Sequence, residues 1–102
     1  MSENLLNLVN TIRERKNKDK DKSYTASLLS AGLSKCIDKM EEEFDELKEA
    51  LNDKSNEVHE AADTIYHILV TLEAANIKFE DVLQELENRK NQSGIEEKNN
   101  RK

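Results

Sequence analysis

"LSKCIDKMEEEFDELKEALNDKSNEVHEAADTIYHILVTL", residues 33–72, decides the fold. Leu33, Ile37, Met40, Phe44, Leu47 and Leu51 step by four, three, four, three and four, the spacing of one helix face. "NDKSN" (52–56) breaks that step and supplies capping residues for a second helix over roughly 55–75. There Val58, Ala61, Ala62, Ile65, Ile68, Leu69 and Leu72 share a face, while Tyr66 and Val70 add apolar surface behind it. A helix apolar on both sides is buried nearly all round, which predicts the second half of this one at the centre of a bundle. The short connection makes the two helices antiparallel neighbours.

Shorter elements flank this pair. Leu5, Leu8, Val9 and Ile12 recur at helical spacing and predict a helix over 3–16. "KNKDKDK" (16–22) is charged throughout and reads as a solvated loop. Ser23 caps a short helix through "YTASLLS", and Gly32 ends it. "ANIK" (75–78) is a turn into a last helix over 79–90, with Phe79, Val82, Leu83 and Leu86 facing inward. The sum is an all-α antiparallel bundle of four to five helices. It forms a single domain over 1–90, followed by a polar, loosely ordered tail over 91–102.

Composition agrees. Charged residues make up 37% of the 102 and hydrophobic ones 35%, with no Pro and two Gly, which favours helices over a turn-rich sheet protein. So small a core is more easily completed across a subunit interface, and an oligomer is expected. A net charge of −6 opposes a duplex-binding surface and excludes nucleic acid as a direct partner. No stretch approaches the length of a membrane span, and the N-terminus lacks a basic start followed by an apolar secretory segment. Cytoplasm is the default compartment. The single cysteine, Cys36, excludes an intramolecular disulfide and a Cys-based zinc site, and is read as a small buried residue.

The chemistry lies in the carboxylates. Glu43 and Glu46 are one turn apart, roughly 80° and 140° from the apolar seam of their helix. Glu60 and Asp63 repeat that spacing on the next helix, and His67 continues their row. Two acidic pairs then face each other across a groove and raise one another's pKa values. Mg²⁺ is the usual remedy, and it leaves coordination positions open for phosphates. A di-iron bundle wants Glu-x-x-His, and neither His59 nor His67 has Glu three positions earlier. His67 reads as a hydrogen-bonded helix histidine and His59 as a surface one. Lys39, one turn before Glu43, is either an ion pair with it or a phosphate contact. Spacing alone leaves the four acids open between a metal site and a solvated face, the reading assigned to Glu41, Glu42, Asp45, Glu49 and Glu57.

"EEFDE" (42–46) and "EAAD" (60–63) match the Glu-Glu-x-x-Glu and Glu-x-x-Asp signature of the all-helical MazG-like nucleotide pyrophosphohydrolases. "SYTASLL" (23–29), "EAADTIYHILVTL" (60–72) and "NRKNQSGIEEK" (88–98) narrow the match. With these in order along nearly the whole chain, it resembles the phosphoribosyl-ATP pyrophosphohydrolases of histidine biosynthesis. Glu41, Asp45 and Lys78 stand where that family commonly has Gly, an apolar residue and a capping Ser or Thr; none of the three is a ligand position.

The resemblance implies Mg²⁺-dependent hydrolysis of phosphoribosyl-ATP to phosphoribosyl-AMP and pyrophosphate. It implies Glu43, Glu46, Glu60 and Asp63 as Mg²⁺ ligands, and Glu42 for a second ion or for the attacking water beside Glu43. Lys39 is implied as a phosphate contact, and Tyr24, Thr25 and Ser27 as substrate-recognising residues. It further implies a homodimer completing the bundle, and a separate cyclohydrolase for the following step. Two rivals are a house-cleaning dUTP or NTP pyrophosphohydrolase, which "SYTASLL" and "SGIEEK" speak against, and a non-enzymatic helical dimerisation module. Magnesium titration separates the last.

Overall fold

The computed structural model describes residues 2–90, and the polar tail over 91–102 lies outside the described residues. Five helices follow one another: α1 (Ser2–Arg15), α2 (Tyr24–Ala31), α3 (Leu33–Asp53), α4 (Glu57–Ala74) and α5 (Phe79–Arg89). The all-α expectation is met, with helix bounds within about two residues of those read from periodicity, the usual scatter at helix ends.

Local chemistry sets the ends. Ser23 is extended and its side chain accepts a hydrogen bond from the Ala26 N–H at 3.1 Å, capping α2 as expected. Gly32 closes α2 and opens α3 at φ 97°, a conformation that disfavours any residue with a Cβ. Lys54 and Asn76 turn the chain out of α3 and α4 in the left-handed region. The Ser55 N–H returns to the Ala50 carbonyl, and the Ile77 N–H to that of Leu72. "NDKSN" supplies Asn56 as the N-cap of α4, but with no side-chain cap bond. Lys78 opens α5 likewise uncapped by a side chain.

α4 is the hub, packing against α1, α2, α3 and α5. Thr64, His67, Leu69, Val70 and Thr71 are buried along it, and the core gathers Val9, Ile12, Leu28, Cys36 and Phe79 around Leu69 and Val70. Cys36 is buried as expected, its thiol 3.3 Å from the Leu28 carbonyl.

α3 and α4 form the most extensive helix pair, and two threonines fix its register. Thr64 Oγ1 lies 2.8 Å from the Glu60 carbonyl and 3.1 Å from that of Glu43. Thr71 Oγ1 lies 2.7 Å from the His67 carbonyl and 3.2 Å from that of Cys36. The pairings 43 with 64 and 36 with 71 run in opposite directions by the same number of residues, so the helices are antiparallel.

The seam of α3 does not face the core of its own chain: Leu33, Ile37, Phe44 and Leu51 are exposed, Leu51 at 58%. On α4, Val58 and Ile65 are exposed too, Val58 at 85%. Periodicity identifies an apolar face without saying what covers it, and in a single chain the buried residues of α3 are Cys36 and Ala50, on one flank of that seam. Leu86, read as inward, stands exposed, and so does Leu8.

Candidate active site

The α3–α4 register decides which carboxylates can meet. Thr64 beside the Glu43 carbonyl brings Glu43 to the level of Asp63, and one turn further along α3 brings Glu46 to the level of Glu60. Glu46 and Glu60 line one shallow, open cleft of about 220 Å³ together with Glu49, Asp53, Ser55 and Asn56. Glu43 and Glu46 share a helix turn, and Asp63 is close enough to act on Glu43.

Glu43 is the most constrained of the four. It is half-buried, and its Oε2 is buried with no hydrogen-bond partner. Its carboxyl is pushed above the ordinary glutamate value, first by burial, then by Glu46 and Asp63, with His67 acting the other way. Two unit charges about 4 Å apart repel by about 4 kcal/mol at an effective dielectric near 20, comparable with the whole stability of a small domain. A buried, unpartnered carboxylate oxygen facing further carboxylates is the polarity a hard cation satisfies, so an all-oxygen ion such as Mg²⁺ fits the donor set.

Around the acids lies a polar and aromatic rim. His67 Nδ1 is 2.8 Å from the Asp63 carbonyl, which can only accept, so Nδ1 carries the hydrogen. In the neutral ring Nε2 then accepts from the Tyr24 hydroxyl, 3.1 Å away. Both nitrogens are engaged, in line with a hydrogen-bonded rather than metal-binding histidine. Tyr24 stacks on Tyr66 with centroids 6.3 Å apart, and Thr25 hydrogen-bonds the Tyr66 hydroxyl. "SYTASLL" is thus tied to α4 by two side-chain hydrogen bonds and a ring contact, while Tyr24 itself stays 56% exposed. The Tyr24 phenol is pushed up by burial, opposed by the positive charge of Lys39. Ser27 is exposed on α2.

Lys39 pairs with Glu42 at 3.7 Å rather than with Glu43, the partner expected from spacing. Glu42 is exposed and reaches that partner one turn back, whereas Glu43 turns inward. His59 was read as surface only. It is exposed, yet its Nε2 lies 3.2 Å from Asp63 Oδ2 and 3.9 Å from Glu60 Oε1. Its spacing of four from Asp63 was the available signal. A larger cleft, about 820 Å³, lies elsewhere, over Arg13, Glu73 and Glu80, whose charges already satisfy one another.

The sequence profile described as phosphoribosyl-ATP pyrophosphohydrolase matches residues 5–90. The chain belongs to that family. It is 44% identical over 97 residues to the phosphoribosyl-ATP pyrophosphatase of Paracoccus denitrificans, covering 93% of this chain and 90% of the relative. Against that of Ruegeria pomeroyi it is 46% identical over 96 residues, covering 92% and 91%. It also matches the histidine biosynthesis bifunctional protein HisIE of Helicobacter hepaticus, 47% identical over 97 residues that span 93% of this chain and 42% of that protein. Family membership makes the chain a hydrolase of phosphoanhydride bonds in histidine biosynthesis. No described helix is long and apolar enough to cross a membrane.

Proposed function

We propose that the chain cleaves the α–β phosphoanhydride of phosphoribosyl-ATP, giving phosphoribosyl-AMP and pyrophosphate, with Mg²⁺ held by Glu43, Glu46, Glu60 and Asp63. The observation that carries the metal reading is the buried, partnerless Oε2 of Glu43 set among further carboxylates. Bound there, Mg²⁺ would neutralise triphosphate charge and acidify a coordinated water.

The chain's own groups supply the rest. Lys39, in reach of Glu42 and acting on Tyr24, is placed to contact a phosphate oxygen at the mouth of the groove. Glu42, exposed and free to rotate once Lys39 turns to phosphate, is assigned to accept a proton from the attacking water. Tyr24, Thr25 and Ser27 on α2 are assigned to the ribosyl and base portions, Tyr24 reaching the groove through His67. Tyr24 also positions His67, which in turn buttresses the turn carrying Asp63.

A homodimer completes the protein in this reading. Leu33, Ile37, Phe44, Leu51, Val58 and Ile65 form an apolar face too extended for a lone small chain to leave in water. A second copy covers it and walls the open groove. The product passes to a cyclohydrolase on a separate chain, and a soluble nucleotide substrate places the enzyme in the cytoplasm.

Pyrophosphate release from phosphoribosyl-ATP, dUTP and ATP, each with Mg²⁺ and with excess chelator, tests the reading. Turnover of phosphoribosyl-ATP well above the others, lost with chelator, is expected. Preference for dUTP or ATP would instead favour a house-cleaning pyrophosphohydrolase.

A further inference from the structure

α2 has eight residues, too few to hold a helix in water by themselves, so its placement comes from what it packs on. Ala26 and Leu28 are its buried residues and set its depth against the bundle. They leave the orientation of the first turn to other contacts, because Ala26 offers only a methyl group against rotation about the helix axis.

Those contacts converge on Tyr66 of α4. Its hydroxyl is hydrogen-bonded to Thr25 Oγ1, and its ring stacks on Tyr24 with 6.3 Å between centroids and 20° between planes. It also meets the His67 ring edge-on, at 5.1 Å and 87°. His67 is buried and tied to its own helix through the Asp63 carbonyl, so Tyr66 is backed by a ring that is itself held. Tyr24 and Thr25 are neighbours about 100° apart around α2. One side chain that grips both fixes the rotation of the helix as well as its distance from α4. Phenylalanine at 66 would give the same ring contacts, so packing alone does not account for the hydroxyl spent on Thr25.

We propose that Tyr66 is a positioning residue: it holds Tyr24 and Thr25 in the rotation about α2 that presents them to the substrate. The inference rests on the reading of Tyr24 and Thr25 as substrate contacts. Glu43, Glu46, Glu60 and Asp63 lie on α3 and α4, so loosening the first turn of α2 leaves the acids in place. The loss then falls on affinity for phosphoribosyl-ATP and not on the chemical step.

Steady-state kinetics with phosphoribosyl-ATP on the full chain, Tyr66→Phe, Thr25→Val, their double variant and Tyr24→Leu test it. Mg²⁺ binding to each is followed by calorimetry without substrate. Tyr66→Phe keeps the ring contacts and removes only the hydroxyl, and circular dichroism verifies the fold. It is expected to raise KM about fivefold, the worth of one hydrogen bond, with kcat and Mg²⁺ affinity within about twofold of wild type. Thr25→Val is expected to add less in the Tyr66→Phe background than alone, because its partner hydroxyl is already gone. Tyr24→Leu is expected to raise KM at least as much as Tyr66→Phe. An unchanged KM in Tyr66→Phe beside a raised one in Tyr24→Leu would overturn the role of Tyr66 and leave α2 at the substrate. An unchanged KM in both would overturn the reading of α2 as a substrate contact, and Tyr66 with it. Additive effects of Tyr66→Phe and Thr25→Val would show the two side chains acting separately. A fall in kcat or in Mg²⁺ affinity in Tyr66→Phe would place its effect at the acidic groove; either result overturns the proposal. Absence of phosphoribosyl-ATP turnover in wild type would overturn the proposed function first, and this role with it.

Discussion

Thr64 Oγ1 lies 3.1 Å from the backbone carbonyl of Glu43, and this single cross-helix contact sets the level at which the two acidic pairs oppose one another. Thr64→Val keeps the shape and removes the hydroxyl. The expected cost in stability is about 1 kcal/mol, the net worth of one hydrogen bond. Thr71→Val, the same change two turns away, is expected to cost about the same. Only Thr64→Val should lower kcat, on the order of tenfold, because it loosens the turn bearing Glu43. Denaturant melts and steady-state kinetics on both variants check this; equal kcat in the two would contradict it.

Glu43 is expected to weaken the metal-free fold at neutral pH. Its folded pKa is raised by burial and by Glu46 and Asp63, so the folded state prefers the protonated acid. The associated stability is full below the unfolded glutamate value, about 4.3, and is lost as pH rises through the folded one. Glu43→Gln should therefore melt higher than wild type at pH 7.5 in chelator, and the difference should shrink towards pH 4. Its activity should be abolished. Thermal melts across that range, with and without Mg²⁺, check the sign; Mg²⁺ should raise the wild-type melting temperature more than that of the variant.

Glu80 behaves in the opposite sense. Arg13 grips it through two hydrogen bonds, at 2.6 and 3.0 Å, and holds its carboxyl down to about 2. Its contribution is present above the unfolded value and lost as pH falls from about 4.3 towards 2. The pair is exposed, so its effect is small and salt-sensitive. Glu80→Gln should flatten the acid limb of the stability profile slightly, and added salt should erase the difference from wild type.

Lys78 offers an improvement. It is the N-cap of α5 in an extended conformation with no side-chain bond to the helix, and Glu80 and Asp81 follow in the first turn. Lys78→Ser supplies the missing acceptor and should stabilise the fold by about 0.5–1 kcal/mol in denaturant melts, with activity unchanged.

How much of this could be read in the sequence differs from part to part. The two long helices, their antiparallel pairing and the burial of α4 follow from periodicity and from "NDKSN", because apolar spacing is a local property. The covering of the α3 seam is not local. Leu33, Ile37, Phe44 and Leu51 have core-like spacing and stand exposed, since the pattern is the same whether a helix packs on its own chain or on another. The acidic pairs were legible as i and i+3 positions on two helices. Their opposition depended on Thr64 and Thr71, which carry no periodic signal. His59 reads as a surface residue, and its spacing of four from Asp63 is the signal for the contact it makes there. The Arg13–Glu80 clamp joins residues 67 apart and could be found only in three dimensions.

The central claim is that Glu43, Glu46, Glu60 and Asp63 together make the reaction possible. Pyrophosphate release from phosphoribosyl-ATP with saturating Mg²⁺, compared between wild type and Asp63→Asn, tests it most directly. Near-total loss of release with the helical circular dichroism unchanged is the expected result. Turnover in Asp63→Asn at the wild-type rate would contradict the account, for the groove between α3 and α4 would then not be where the anhydride is cut.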